Sequence, residues 1–452
     1  MPPRLRRAAL PASCAVLLSV LPLASAAQAA PSYTMEERAS AIAAPAVLFI
    51  ESRTEGYLRL KATGQMLHEK PITVSHRCSG FVVSGDGHVV TATRCVQPSV
   101  EGLRSSASYT LANSLIREKK LAAEQKDAYI AGLATTVEFT ARDGASMDTK
   151  IYGQLFQAWG GVTTEPALPG QLMQSLSAAG GDLSMVKFAH QGMPVVEIGG
   201  TAMEAGQPVV AIGFGTGPDA VPETANYTLR TRAVRVTEQI KEKSPAQYRL
   251  DGDVGVFSHG GVVVDESGRA VGVITADPGA KDRANQAAID VAVIKDMLAA
   301  ASARNALSER DQAYRSGLDA YFAGRYTEAI GTLDRVVKEV PSHSIAANYR
   351  RQAAQRLAVE GEPDDGLPLW AVILITALVS VLLTLTAVLV VLAVMRRRRP
   401  KPDLLGYELP ISAIPISATP ISGTPISGTG YAGRIYDNPW APAAQSESEK
   451  RD

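Results

Sequence analysis

From about residue 36 to 300 the chain carries short apolar runs separated by turn residues. They are Phe81-Val82-Val83, His88-Val89-Val90-Thr91, Met185-Val186-Lys187-Phe188, Val209-Val210-Ala211-Ile212, Val262-Val263-Val264 and Ala270–Thr275. Runs this short predict strands, and many of them in one region predict a barrel or sandwich. Ser84-Gly85-Asp86-Gly87 and Asp265-Glu266-Ser267-Gly268 each separate two runs and predict hairpin turns. Residues 107–131 break the pattern. Leu111, Leu115, Ile116, Leu121 and Ile130 recur there among charged residues, which predicts an amphipathic helix inserted in the β domain. Such a helix either packs on the barrel or is offered to a partner.

Residues 308–357 switch to a helical period. Gly317, Tyr321, Gly324, Tyr326, Ala329, Ile330 and Pro341 fall where a tetratricopeptide unit keeps its glycine, aromatic, small and proline positions, and the segment resembles one such repeat. A third amphipathic helix, Ser344–Leu357, is placed to cap the pair. A lone repeat buries its face poorly, so it must pack on this helix, the barrel or a partner. An acidic linker over 360–367 precedes Leu369–Met395, a run with no charged residue. That run predicts a transmembrane helix over 368–395, and the arginines Arg396–Arg399 behind it predict a cytoplasmic end.

Residues 1–29 pair a basic start (Arg4, Arg6, Arg7) with an apolar stretch, Ala15–Leu23, and a small-x-small site at Ala27-Gln28-Ala29. This predicts a cleaved signal peptide, with an uncleaved anchor as the other reading. Signal and stop-transfer agree on a single span, with the N-terminal part outside the cell membrane. In the cytoplasmic tail, 396–452, Pro410, Pro415, Pro420 and Pro425 each open a Pro-Ile-Ser repeat. Proline at that spacing forbids helix or paired strand and predicts disorder. The serines and threonines are candidate phosphate acceptors, which suits a cytoplasmic partner.

Composition adds limits. The 452 residues hold 45 basic and 45 acidic side chains, so no basic stripe points to nucleic acid. The alanine-rich, lysine-poor composition suits a bacterium. Of three cysteines, Cys14 leaves with the signal, and Cys78 and Cys95 remain in an oxidising setting. There they read as a disulfide, with two buried free thiols as the alternative.

Three separated segments carry the strongest signal. The first is Cys78-Ser79-Gly80-Phe81-Val82-Val83 with Gly87–Val96, ending Thr91-Ala92-Thr93-Arg94-Cys95-Val96. The second is Gly181-Asp182-Leu183-Ser184-Met185-Val186-Lys187, and the third is Ser258-His259-Gly260-Gly261-Val262-Val263-Val264 continuing to Val273. In this order they resemble the trypsin-like, HtrA-like serine proteases over about residues 36–300. The resemblance implies a double β-barrel in a mostly β chain, and it joins Cys78 to Cys95 as relatives join their matching cysteines.

It also implies three triad-equivalent positions. Arg94 stands where the family keeps its histidine, Asp182 matches the aspartate, and His259 stands where the family keeps its serine. Phe257 replaces the glycine of the oxyanion turn, Val262 replaces a proline, and Ser258 is a candidate nucleophile shifted by one residue. Arginine accepts no proton from a serine, while a guanidinium and Asp182 can form an ion pair. A metal at His259 and Asp182 lacks a third ligand, and no cofactor is implied. The expected chain is therefore a single-pass membrane protein with an inactive protease-fold domain that binds a protein or peptide. The alternatives are an endopeptidase with a rearranged site and a structural envelope scaffold.

Overall fold

The computed structural model describes residues 33–397 except 156, 160, 163–166, 178–180, 201, 218–219, 223, 242, 278–284 and 363–368. The signal segment and the proline-rich repeats of the tail lie outside the described residues. The chain divides into two units, one up to Pro368 and one from Leu369.

The first unit begins with α1 (Met35–Ala43), capped by Thr34, whose hydroxyl accepts the Glu37 N–H at 3.1 Å. Eight strands follow in its first half: β1 (Val47–Leu60), β2 (Ile72–Ser84), β3 (His88–Ala92), β4 (Val137–Thr140), β5 (Thr149–Leu155), β6 (Gln157–Trp159), β7 (Leu168–Ser175) and β8 (Leu183–Phe188). Six of them close into a ring in the order β2-β3-β8-β7-β5-β1 and back to β2, with β4 added on β1. A second ring joins β9 (Pro208–Gly215), β10 (Asn226–Ile240), β11 (Gln247–Leu250), β12 (Val262–Val264), β13 (Ala270–Thr275) and β14 (Ala287–Asp290). Its order is β11-β14-β13-β12-β9-β10 and back to β11, with β6 added on β10. Closure leaves the ring strands paired on both sides. The double barrel expected from the sequence is present, and both predicted hairpin turns sit between paired strands, β2–β3 and β12–β13.

The longest strands, β1 and β10, are not among the runs named from the sequence, although β1 opens on the apolar stretch Val47-Leu48-Phe49-Ile50. β1 buries Glu51, Ser52 and Thr54 among its apolar residues, and β10 carries Arg230, Arg232 and Arg235 on partly or fully exposed positions. The barrels meet over a shared core in which Phe49 of β1 lies edge-on to Phe214 of β9, ring centroids 5.6 Å apart. At the same seam the fully buried Ser79 hydroxyl accepts the Phe214 N–H at 2.7 Å and donates to the Phe257 carbonyl at 2.8 Å.

The inserted helix differs from expectation. Between β3 and β4 the chain forms the short turn α2 (Thr93–Val96), then α3 (Val100–Arg117) and α4 (Lys126–Thr136), rather than one helix over 107–131. α3 starts early because the Ser99 hydroxyl caps it, accepting the Gly102 N–H at 3.0 Å. It stops where Lys119 takes a left-handed conformation, φ 57°, and Lys120 N–H bonds back to the Leu115 carbonyl at 2.8 Å. Leu103, Ala107 and Leu111 of α3 pack with Leu133 of α4 and with Phe139 and Leu58 of the first barrel.

After α5 (Ala292–Ala300) come α6 (Glu309–Phe322), α7 (Tyr326–Glu339) and α8 (Ser344–Glu360), the last running three residues past its predicted end. Gly317 lets α6 approach α7, since a Cβ there would lie 2.8 Å from Leu333 atoms. These helices pack on the rest of the unit through α1. Its Ala41 carbonyl accepts the Tyr314 hydroxyl at 2.7 Å, its Arg38 pairs with Asp319 at 3.0 Å, and its Glu36 accepts from Thr231 of β10 at 3.0 Å.

The second unit contains α9 (Leu369–Arg397), of which Ile373–Arg397 is long and apolar enough to cross a membrane. At about 1.5 Å per residue such a helix exceeds a hydrocarbon core of about 30 Å. It continues into the arginine run, two residues past the predicted end.

α8 also generates a pH dependence. The buried His343 ring caps it, Nδ1 accepting the Ala346 N–H at 3.1 Å. Burial chiefly, opposed by a bond to its own backbone, pulls the ring down to about 4 from an ordinary 6.5. The folded state therefore prefers the neutral ring, so this stability is full above pH 6.5 and is lost as pH falls from 6.5 through 4. The expected loss is up to about 3 kcal/mol. Calorimetric melting from pH 7 to 4 should show a smaller fall for His343→Asn, which caps without titrating.

Candidate functional site

The site forms where the barrels face each other. β3 ends at Ala92 and the chain turns at once into α2, which carries Arg94 and Cys95. Cys95 is bonded to Cys78 of β2 with the Cα atoms 6.0 Å apart, so the turn bearing Arg94 is stapled to the neighbouring strand. Asp182 immediately precedes β8 in a left-handed conformation, φ 55°, after Gly181 at φ 116°. Aspartate tolerates that region better than most residues. Its backbone carbonyl accepts the Thr93 N–H at 3.0 Å, which fixes the two segments side by side.

The Asp182 carboxylate is 8% exposed and meets three donors. Oδ1 accepts the Arg94 backbone N–H at 3.1 Å, and Oδ2 accepts Arg94 Nε–H at 2.7 Å. Oδ2 also lies 3.1 Å from Nε2 of His259. Burial acts to raise this carboxyl, but the His259 hydrogen bond and the Arg94 charge outweigh it and hold the group below the usual carboxylate range. The three triad-equivalent residues named from the sequence are thus in contact.

His259 follows a tight turn, Val256–Ser258, on the second barrel. Its Nδ1 lies 2.8 Å from Oδ1 of Asn285. The Asn285 amide donates to the carbonyls of Gly255 at 2.9 Å and Val256 at 3.0 Å, so its oxygen is the atom turned to the ring. Both ring nitrogens therefore face oxygen atoms, Nδ1 that of Asn285 and Nε2 that of Asp182. Asn285 has no motif around it and the sequence reading missed it. The next residue, Gly260, is squeezed at φ 79°, where a Cβ would lie 2.5 Å from the Ser79 carbonyl oxygen and 2.6 Å from Ala92 N.

Ser258 is not brought to the site. It is fully buried and its hydroxyl donates to the Gly255 carbonyl at 2.6 Å. A cleft of about 380 Å³ opens beside Arg94 and His259, with His76, Arg77 and Asn285 on its wall. Burial holds His76 below the usual histidine range. Among the described residues no group of three or more His, Cys, Asp or Glu is arranged to hold a metal ion.

Asp182→Asn tests the shared carboxylate. It removes the charge that Arg94 and His259 face, at an expected cost of about 1–3 kcal/mol, less than for a fully buried pair because Arg94 is half exposed. The folded-state pKa of Asp182 is depressed, so its contribution is present above the ordinary 3.8 and lost as pH falls below it. Denaturant melts should show wild type losing its advantage over the variant below pH 4.

Residues 78–273 match the family model of the trypsin-like peptidase domain. None of the curated proteins matches the chain. Solved structures similar to it include the serine endoprotease from Yersinia pestis, at 14% identity over 60% of this chain and 67% of that one, with a TM-score of 0.34. Another is the HtrA-type protease AlgW with a decapeptide, at 14% identity over 59% of this chain and 67% of that one, with a TM-score of 0.36. The family match falls on both closed barrels and on all three segments of the site, so the double barrel of this chain has the trypsin-like serine protease fold.

Proposed function

We propose that this is a membrane-anchored homologue of serine proteases whose trypsin-like domain no longer cleaves peptides and instead binds a protein or peptide outside the cell membrane. One observation carries the reading: Arg94 and His259 both donate to Asp182, in the positions of base and nucleophile. A guanidinium takes no proton from a hydroxyl, and an unactivated serine is a weak nucleophile. The serine of that turn, Ser258, is buried with its hydroxyl spent on a backbone carbonyl. A rearranged endopeptidase would need this loop rebuilt.

The apolar helix α9 serves as the anchor, and the arginines at its end put the tail in the cytoplasm by the positive-inside rule. The tetratricopeptide-like helices give the outer part a second surface for a partner, and the proline-rich tail would pass the signal inward. Fluorophosphonate labelling of the full chain in detergent tests the reading. No label is expected on the intact protein at any pH from 6 to 9. Labelling mapped to Ser258 by mass spectrometry would sink it.

A further inference from the structure

The lost triad leaves behind a cleft with an unusual charge. Arg94 and Arg77 stand on its wall with His76 and His259, and among the described residues no carboxylate lines it. Three carboxylates lie nearby among the described residues, each buried behind an arginine, and one of them, Asp277, next to Ala276 of the wall, is held by Arg249 at 2.8 Å. Asp182 is held by Arg94, and Glu51, 1% exposed, is held by Arg53 at 3.1 Å and Arg77 at 3.5 Å. Glu101, the acidic residue in the first turn of α3, is directed to Arg104 at 3.3 Å and is not on the wall.

Arg94 is only partly used. Its backbone N–H and Nε–H go to the two oxygens of Asp182, and neither Nη atom makes a hydrogen bond among the described residues. The side chain is 54% exposed. A guanidinium carries five N–H donors, so the outer edge keeps two parallel donors that match a second carboxylate. Asp182 fixes the plane of the group in advance, which removes part of the ordering cost of binding. Ser99 and Gly102 place the positive end of the 18-residue helix α3 on the same wall. Val256, 64% exposed, and Pro98 supply an apolar flank. The volume, about 380 Å³, is that of a site for a few ligand groups rather than a long chain.

We propose that the cleft is a carboxylate receptor, in which the free edge of Arg94 grips an acidic group on a bound peptide. This rests on the binding reading above and names its ligand class. The carboxylate comes from a peptide C-terminus or from an aspartate or glutamate side chain, and both would be held by the same fork. Binding weakens as salt rises, because the contact lies at a half-open surface.

The test uses the full chain in detergent and three arrays of randomised, N-acetylated hexapeptides. One array ends in a free carboxylate and lacks acidic side chains. The second is amidated and neutral, and the third is amidated with one internal glutamate. Retention on the first array, the third, or both, at least tenfold above the second, is the expected result, and it distinguishes the two sources. Arg94→Gln should lose at least tenfold. Arg94→Lys, which keeps the charge without the fork, should lose less, and Arg232→Gln on β10 should lose nothing. The preserved Cys78–Cys95 bond and a single cooperative melt identify variants that still fold. Equal retention on all arrays, or binding unchanged in folded Arg94→Gln, overturns the carboxylate assignment while the binding reading stands. Retention on none overturns both, and cleavage of the peptides overturns the inactive reading alone.

Discussion

Asp182 accepts hydrogen bonds from two side chains that reach it from different barrels: Arg94 follows β3 of the first, and His259 precedes β12 of the second. Sharing one ionised carboxylate between two such donors is what the surrounding geometry serves. Gly181 and Asp182 adopt positive φ to aim the side chain, the disulfide holds the turn of Arg94, and Asn285 steadies the far side of the His259 ring. A charge this buried is costly unless its partners are fixed. The fold meets that cost with ties that cross the seam. The Ser79 hydroxyl and backbone join β2 to Phe214, Phe257 and His259, and Gly260 presses against Ser79 and Ala92. The arrangement ties the two barrels together through one ion pair and one histidine contact.

How much of this could be read beforehand follows from what each residue is near in sequence. Arg94, Asp182 and His259 were legible because each sits in a stretch of glycines and strand residues that resembles a protease motif on both sides. Asn285 was not, because its role comes only from the loop that brings it to His259, 26 positions away in the chain. β1 opens on a legible apolar run, Val47–Ile50, but its continuation through the buried Glu51, Ser52 and Thr54 was not legible, and β10 escaped because its arginines are turned to solvent. The break between α3 and α4 depends on one left-handed lysine, a choice that charge patterning does not encode. The helices of residues 308–357 were legible from their period, but their docking was not, since Asn305 reaches the carbonyls of Val83 and Val196 from outside the periodic segment.

The cleft keeps positive groups where a protease needs a base and a nucleophile. The two arginines differ in what they have left to give. Arg77 is drawn inward by Glu51 and lies over the Tyr227 ring, 5.9 Å from its centroid, whereas Arg94 turns an edge outward. What the cleft offers is set by which donors remain unspent, and fold alone does not set it.

The clasp made by α1 has a consequence for how the molecule is assembled. This helix is the first described element to leave the ribosome, yet its hydrogen bonds to Thr231, Tyr314 and Asp319 span 195, 273 and 281 positions. Contacts of that separation form late, since the intervening chain must be made and closed first. During synthesis the residues of α1 therefore wait, with Ala41 and Ile42 uncovered, until the barrels and α6 have emerged. The first described helix is therefore among the last to be locked. Any factor that shields nascent chains would find a long-lived apolar target there.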